Sequence, residues 1–269
     1  MIIIGEKING AIPSIKTAIV ERNVGLIRER VRAQAAAGAD FIDCAPSTAP
    51  ELEYEAMVWL LNIIQEETDI PVCIDSPNAK LLARILDEGL VKRPGMVNSV
   101  NEEGDKCETI FPLIAGTDWN VVGLTCDKDG IPMDVEKKIE IAKSIIDKAG
   151  KYGVALPNLH IDPCVMTLST VPSAMLDFEK AIQGIHDYAP AVKVTGAISN
   201  ISFEMPARKY INSNCMAYAI GAGLDSAIMD PCNAGMMSTI YACEALRMKD
   251  KGGRKYNRAY RQGKIGVKK

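Results

Sequence analysis

Residues 121–149 read VVGLTCDKDGIPMDVEKKIEIAKSIIDKA, one strand followed by one helix. Residues 121–125 are a short apolar run of strand length. Beyond it, Val135, Ile139, Ala142, Ile146 and Ala149 recur at 3.6-residue spacing and predict a helix over 134–149 with one apolar face. Asp134 is placed to cap its first turn, and Gly150 to follow its end. Residues 24–37 repeat the scheme, with Asn23 as cap, Val24, Ile27, Val31 and Ala35 inward, and Gly38 as stop.

The alternation runs through the chain eight times. The other strand candidates are 2–4, 41–44, 72–74, 96–97, 159–161, 192–195 and 227–229. Strands alternating with helices give a parallel sheet, because each return to the same edge needs a helical crossover. Eight repeats in 269 residues match a single closed (β/α)8 TIM barrel, whose usual length is about 250 residues. An open doubly wound sheet is the weaker reading, since no GxGxxG follows the first strand. GADFIDCAP (38–46), IPVCIDSP (70–77), NLHIDPC (158–164) and LDSAIMDPC (224–232) form a faint internal repeat of apolar run, Asp, small residue and Pro. The barrel is assigned to residues 1–248, and 249–269 to a basic C-terminal tail or last-helix extension.

Composition narrows the setting. No apolar run approaches the roughly 20 residues needed to cross a bilayer, and MIIIGEKING lacks the pattern of a secretory signal. A cytoplasmic location is expected, with no membrane partner. The eight cysteines form no CxxC pair and several lie in apolar runs, which predicts reduced, buried thiols. Residues 249–269 carry nine Lys or Arg against one Asp; set against the total of −3, this leaves −11 for the rest. A solvated final helix explains that charge without a nucleic-acid partner.

In this fold the strand ends form the active face. Here they carry Glu6 and Asn9, Asp43, Asp75, Asn98, Asp127, Asp162, Asn200 and Asp230. Any one could be a turn residue or a helix cap. Together they predict a ring of acceptors and amides, with Lys and Arg nearly absent and two His in the chain. Such a mouth suits a neutral heterocycle with several N–H donors, as on a 2-amino-4-oxopyrimidine edge. Charge-assisted bonds of that kind are worth roughly 1.5–3 kcal/mol each.

The segments GEKING (5–10), CIDSPN (73–78), MVNSVNEE (96–103), GLTCDKDGIP (123–132), HIDPC (160–164), GAISNIS (196–202) and GLDSAIMD (223–230) occur in order. Over residues 1–248 the chain resembles the methyltetrahydrofolate:corrinoid-protein methyltransferases. These belong to a wider pterin-binding barrel group that includes dihydropteroate synthase and the folate module of cobalamin-dependent methionine synthase. The resemblance implies methyl transfer between N5 of tetrahydrofolate and the cobalt of a corrinoid on a separate protein, within one-carbon metabolism. It implies a homodimer and a chain that binds no metal itself. It places Asp75, Asn98 and Asp162 on the pyrimidine edge and Asn200, the catalytic amide, near N5, with Gly196, Ser199, Ser202 and Arg208 shaping its loop. Two departures stand out: Asp43-Cys44-Ala45 where relatives read Asp-Leu-Asn, and Cys126-Asp127 where they read Met-Asn.

Dihydropteroate synthase itself would need basic groups for pyrophosphate that the mouth lacks, and two other readings compete with methyl transfer. His160, Asp162 and Cys164 alternate on one strand and could be ligands of a zinc-thiolate methyltransferase. A noncatalytic pterin-binding subunit would account for the amide missing at Ala45.

Overall fold

In the computed structural model, residues 1–266 are described. The elements run β1 (Ile2–Asn9), α1 (Pro13–Val20), α2 (Val24–Ala37), β2 (Phe41–Ala45), α3 (Pro50–Glu67), β3 (Val72–Asp75), α4 (Ala79–Asp87), β4 (Met96–Glu102) and α5 (Lys106–Ile114). The second half runs β5 (Asn120–Asp127), α6 (Val135–Tyr152), β6 (Leu159–Asp162), α7 (Ala174–Tyr188), β7 (Lys193–Val194), α8 (Arg208–Ala222), β8 (Ser226–Met229), α9 (Ala234–Leu246) and α10 (Arg254–Arg261).

All pairings are parallel, in the order β7-β6-β5-β4-β3-β2-β1-β8. The gap between β7 and β8 is bridged by Asp225 N–H to the Val194 carbonyl at 3.0 Å and Ile228 N–H to the Gly196 carbonyl at 3.1 Å. The Asp225 carboxylate also accepts from Val194 N–H at 3.0 Å. The predicted single (β/α)8 barrel is therefore the fold.

Strand alternation sorts the side chains into layers. Ile42, Val72, Ile74, Val97, Val121, Ile161 and Ala227 point outward into the core shared with the helices. Ile4, Cys73, Met96 and Val122 point inward and pack as a small apolar plug, flanked by Phe41, Leu124 and Ile228. Two residues beyond the plug, the same inward face carries Glu6, Asp43, Asp75 and Asn98. The polar mouth thus stands on an apolar floor.

Several sequence expectations need correction. Gly150 lies inside α6; the helix ends at Gly153, whose φ of 82° suits a residue without Cβ. The buried face of α6 is Lys138, Ile141, Ala142, Ile145, Ile146 and Ala149, rotated from the predicted one. In α2 the cap on Asn23 and the stop at Gly38 hold, yet Gln34 is buried rather than Ala35. A bulge in β1 between Gly5 and Ile8 frees Lys7 N–H, and the Gln34 side chain accepts it at 3.0 Å. A Cβ at Gly5 would lie 2.5 Å from that oxygen. Of the basic tail, 254–261 form α10, anchored by buried Ala259; residues 267–269 lie outside the described residues. No helix among the described residues is long and apolar enough to cross a membrane.

Candidate active site at the barrel mouth

Asp43 is fully buried and neither carboxylate oxygen meets a hydrogen-bond donor of suitable geometry. Burial, then the charge of Asp75, pushes its pKa well above the ordinary carboxylate range. Asp75 is pushed up to about 7, chiefly by burial and further by Glu53, against a hydrogen bond from Asp43. Asp43 is the deeper carboxyl of the two, and Asp75 lies nearer the mouth. Behind them the Ser76 hydroxyl donates to Glu53 of α3 at 2.7 Å. On the adjoining strand Asn98 is buried, and its peptide bond to Ser99 is cis.

Across β5, Asp162 ends β6. Burial raises its pKa to about 6, while Cys164 N–H, donating at 2.7 Å, and the charge of Lys138 work against the rise. That hydrogen bond occupies one oxygen and leaves the second for a ligand. Glu6 is raised by burial and by Asp230, offset by Lys7 and Arg208.

On the β7 side a 3-10 turn, Ile198–Ser202, carries Asn200. Arg208 stitches this turn together: Nε donates to Ser202 Oγ at 2.9 Å and Nη2 to the Ser199 carbonyl at 2.8 Å. Its guanidinium also lies over the Phe203 ring, 4.8 Å from the centroid. The loop after β6 braces the turn, with Leu168 N–H bonded to the Ile201 carbonyl at 3.0 Å and the Thr167 hydroxyl to the Phe203 carbonyl at 2.9 Å. The Asn200 side chain makes no hydrogen bond with any described residue. Gly196 lets the chain pass Phe178, where an added Cβ would sit 2.9 Å from the ring.

Other strand-end residues are engaged in turns. Asn9 Oδ1 accepts from Ala11 N–H and the Ser47 hydroxyl, and Asp127 accepts from Asp129 N–H. Asp230 accepts from Cys232 N–H and pairs with Lys7 at 3.3 Å. Lys7 was not expected at the mouth. The β1 bulge redirects it there, and no periodic signal marks a bulge. Thr125 and Thr195, buried and without partners, are also polar atoms that the apolar strand pattern concealed.

His160 is turned toward the base of the barrel. Its ring nitrogens contact Ser226 Oγ at 2.7 Å and Asn120 Oδ1 at 3.3 Å, both on first residues of strands, and burial lowers its pKa to about 3. Among the described residues no three His, Cys, Asp or Glu side chains are grouped to hold a metal ion. Of the two departures, Cys44 faces Met57 of α3, while Cys126 accepts from Asn101 Nδ2 at 3.1 Å.

A closed parallel barrel whose mouth is walled by buried carboxylates and amides is a scaffold for a polar, donor-rich ring. Residues 14–230 match the pterin binding enzyme family, and the chain belongs to that family. It is 47% identical over 268 residues, 99% of this chain and 98% of that protein, to methylcorrinoid:tetrahydrofolate methyltransferase from Eubacterium limosum. It is 29% identical over 244 residues to methionine synthase from Mycobacterium tuberculosis, matching 85% of this chain and 20% of that longer protein. In three dimensions it resembles dihydropteroate synthase from Xanthomonas albilineans, with a TM-score of 0.67, 16% identity and coverage of 91% and 92% of the two chains. The Yersinia pestis enzyme gives a TM-score of 0.66, 14% identity and coverage of 93% and 94%. At such identities these structures speak for the fold alone.

Proposed function

We propose that this protein moves a methyl group between the cobalt of a corrinoid on a separate protein and N5 of tetrahydrofolate, in one-carbon metabolism. One observation carries the reading: buried acceptors at the ends of β3, β4 and β6 share the barrel's mouth with a braced turn after β7 whose Asn200 side chain has no hydrogen-bond partner among the described residues. The relative of near-equal length is named with the methylcorrinoid first, and we take the same direction here.

Asp75 accepts the amino and ring N–H donors of the pterin through its ionised form, with Asn98 and the free oxygen of Asp162 completing the edge. Glu6 and Asn9 belong to the outer arc of this pocket, and Asp43 lies at its floor behind Asp75. The corrinoid supplies the methyl group and retains the electron pair of the broken bond. As the N5 lone pair bonds to that carbon, N5 becomes cationic and its N–H a stronger donor. The Asn200 amide oxygen accepts that proton's hydrogen bond while charge develops, and ordered water carries the proton away. Gly196, Ser199, Ser202 and Arg208 hold the amide in position.

Residues 1–248 act as one catalytic barrel, with 249–269 as an appended basic segment. The corrinoid protein docks over the mouth, and the enzyme works in the cytoplasm as a homodimer without a metal of its own. The test is turnover. Purified protein, tetrahydrofolate and methylcobalamin or a methylated corrinoid protein should yield 5-methyltetrahydrofolate as the methyl-cobalt absorption disappears. Tight folate binding without turnover would favour the noncatalytic subunit, which the missing amide at Ala45 makes the specific alternative.

A further inference from the structure

Lys138 lies on the buried face of α6 with 4% of its surface exposed, behind the mouth rather than in it. Burying an ammonium is costly unless it is bonded, and one that lies beneath a catalytic face calls for a physical reason. Among the described residues its Nζ makes a single hydrogen bond, to the Cys164 carbonyl at 2.7 Å. Cys164 has a φ of 52°, a left-handed conformation that disfavours a residue with a Cβ. Its peptide is held from both sides: the N–H by Asp162 Oδ1 at 2.7 Å and the carbonyl by Lys138.

The geometry points to Lys138 as a positioning residue for folate recognition: it locks the Asp162–Cys164 turn and sets both the orientation and the charge of Asp162. Downstream of that turn, the same loop supplies Thr167 and Leu168, which brace the Asn200 turn. Lys138 therefore anchors the strap joining the two halves of the pocket. The titratable groups around Asp162 are Lys138 from α6, the Cys164 thiol and, next to that thiol, Cys126 from β5; Asp177 of α7 stands behind Lys138. Burial, followed by the charge of Asp162, pushes the Cys164 thiol up, so it stays neutral. Lys138 is the one cation of this set, and its own pKa is lowered by burial.

The inference rests on the folate-binding reading, and its test is built to fail separately. In ligand-free protein, carbon-detected NMR of the Asp162 carboxyl should show its titration in Lys138→Met moved up by about one pH unit. Tetrahydrofolate affinity should fall about fivefold at pH 6 and little at pH 8.5, since a carboxylate raised from about 6 by one unit loses about that share of its ionised form at pH 6. Lys138→Arg, which keeps charge and donor, should restore both. Lys138→Gln, uncharged but polar, replaces the methionine variant if that fails to fold. An unmoved Asp162 titration in the uncharged variants overturns the inference, as does a shifted titration with unchanged affinity. A wild-type protein that ignores tetrahydrofolate sinks the function instead, while the NMR shift still judges Lys138.

Discussion

Asp43 and Asp75 stand on neighbouring strands over an apolar plug, and burial raises both carboxyls, Asp75 to about 7. Asp75→Ala should weaken tetrahydrofolate binding by roughly 2–4 kcal/mol, through two lost charge-assisted bonds and unpaired pterin donors. Asp75→Asn should not rescue binding, because one end of the amide is itself a donor. Calorimetric titration reads both. With Asp75 at about 7, wild-type affinity should rise as pH increases through 7. Stability moves the other way. A carboxyl whose folded pKa is raised takes up protons on folding, so its favourable contribution is complete below the ordinary carboxylate pKa and lost as pH climbs toward 7. Asp75→Asn should therefore melt at higher temperature than wild type at pH 8, by differential scanning calorimetry, while binding worse. Asn200→Ala should lower kcat by about 10²–10³ with less effect on binding. Asn200→Gly should do the same if the amide acts, whereas a mere loop-shaping role would leave the glycine variant near wild type.

At the scale of elements, β7 is the weak seam. Only Lys193 and Val194 pair as strand, and closure onto β8 relies on Asp225, whose carboxylate lies 3.3 Å from His186 Nε2, the nitrogen that also contacts the Gly223 carbonyl at 3.1 Å. That contact raises His186 and lowers Asp225. The raised histidine contributes stability that is complete below its unfolded pKa and lost as pH rises through its folded one. His186→Ala should cost roughly 1 kcal/mol at pH 6 and little at pH 9, measured by urea unfolding at the two values. The eight strands were legible from their apolar runs, but their ends were not. β1, β4 and β5 continue through Asn9, Glu102 and Asp127 because mouth-facing polar residues still pair in the sheet. Apolar runs stop where the active face begins, so hydrophobicity alone truncates the strands that matter most. Gln34, Lys7 and Lys138 escaped notice for a related reason. Each is a polar residue at a helical or bulged position, and its burial is decided by a partner distant in sequence.

Taken as a whole molecule, the charge is divided. The mouth gathers Glu6, Asp43, Asp75, Asp162 and Asp230, while α10 and its flanks gather the basic residues near the start of β1, where Lys255 pairs with Glu244 beside the N-terminus. In the proposed reaction, a corrinoid protein docking over the mouth would meet an acidic face tempered by Lys7 and Arg208. The residue types of the ring were readable in the sequence, and so was its likeness to the corrinoid methyltransferases. The raised carboxyls of Asp43 and Asp75 were not, since their burial comes from the plug beneath them. Methyl transfer is read by single-turnover spectroscopy: methylcobalamin, tetrahydrofolate and stoichiometric protein, followed at the methyl-cobalt absorption band with the folate product analysed. Loss of the band with equal formation of 5-methyltetrahydrofolate, slowed in Asn200→Ala, is the predicted result. An unchanged band, with tetrahydrofolate bound and a methylated corrinoid protein also without effect, would contradict it.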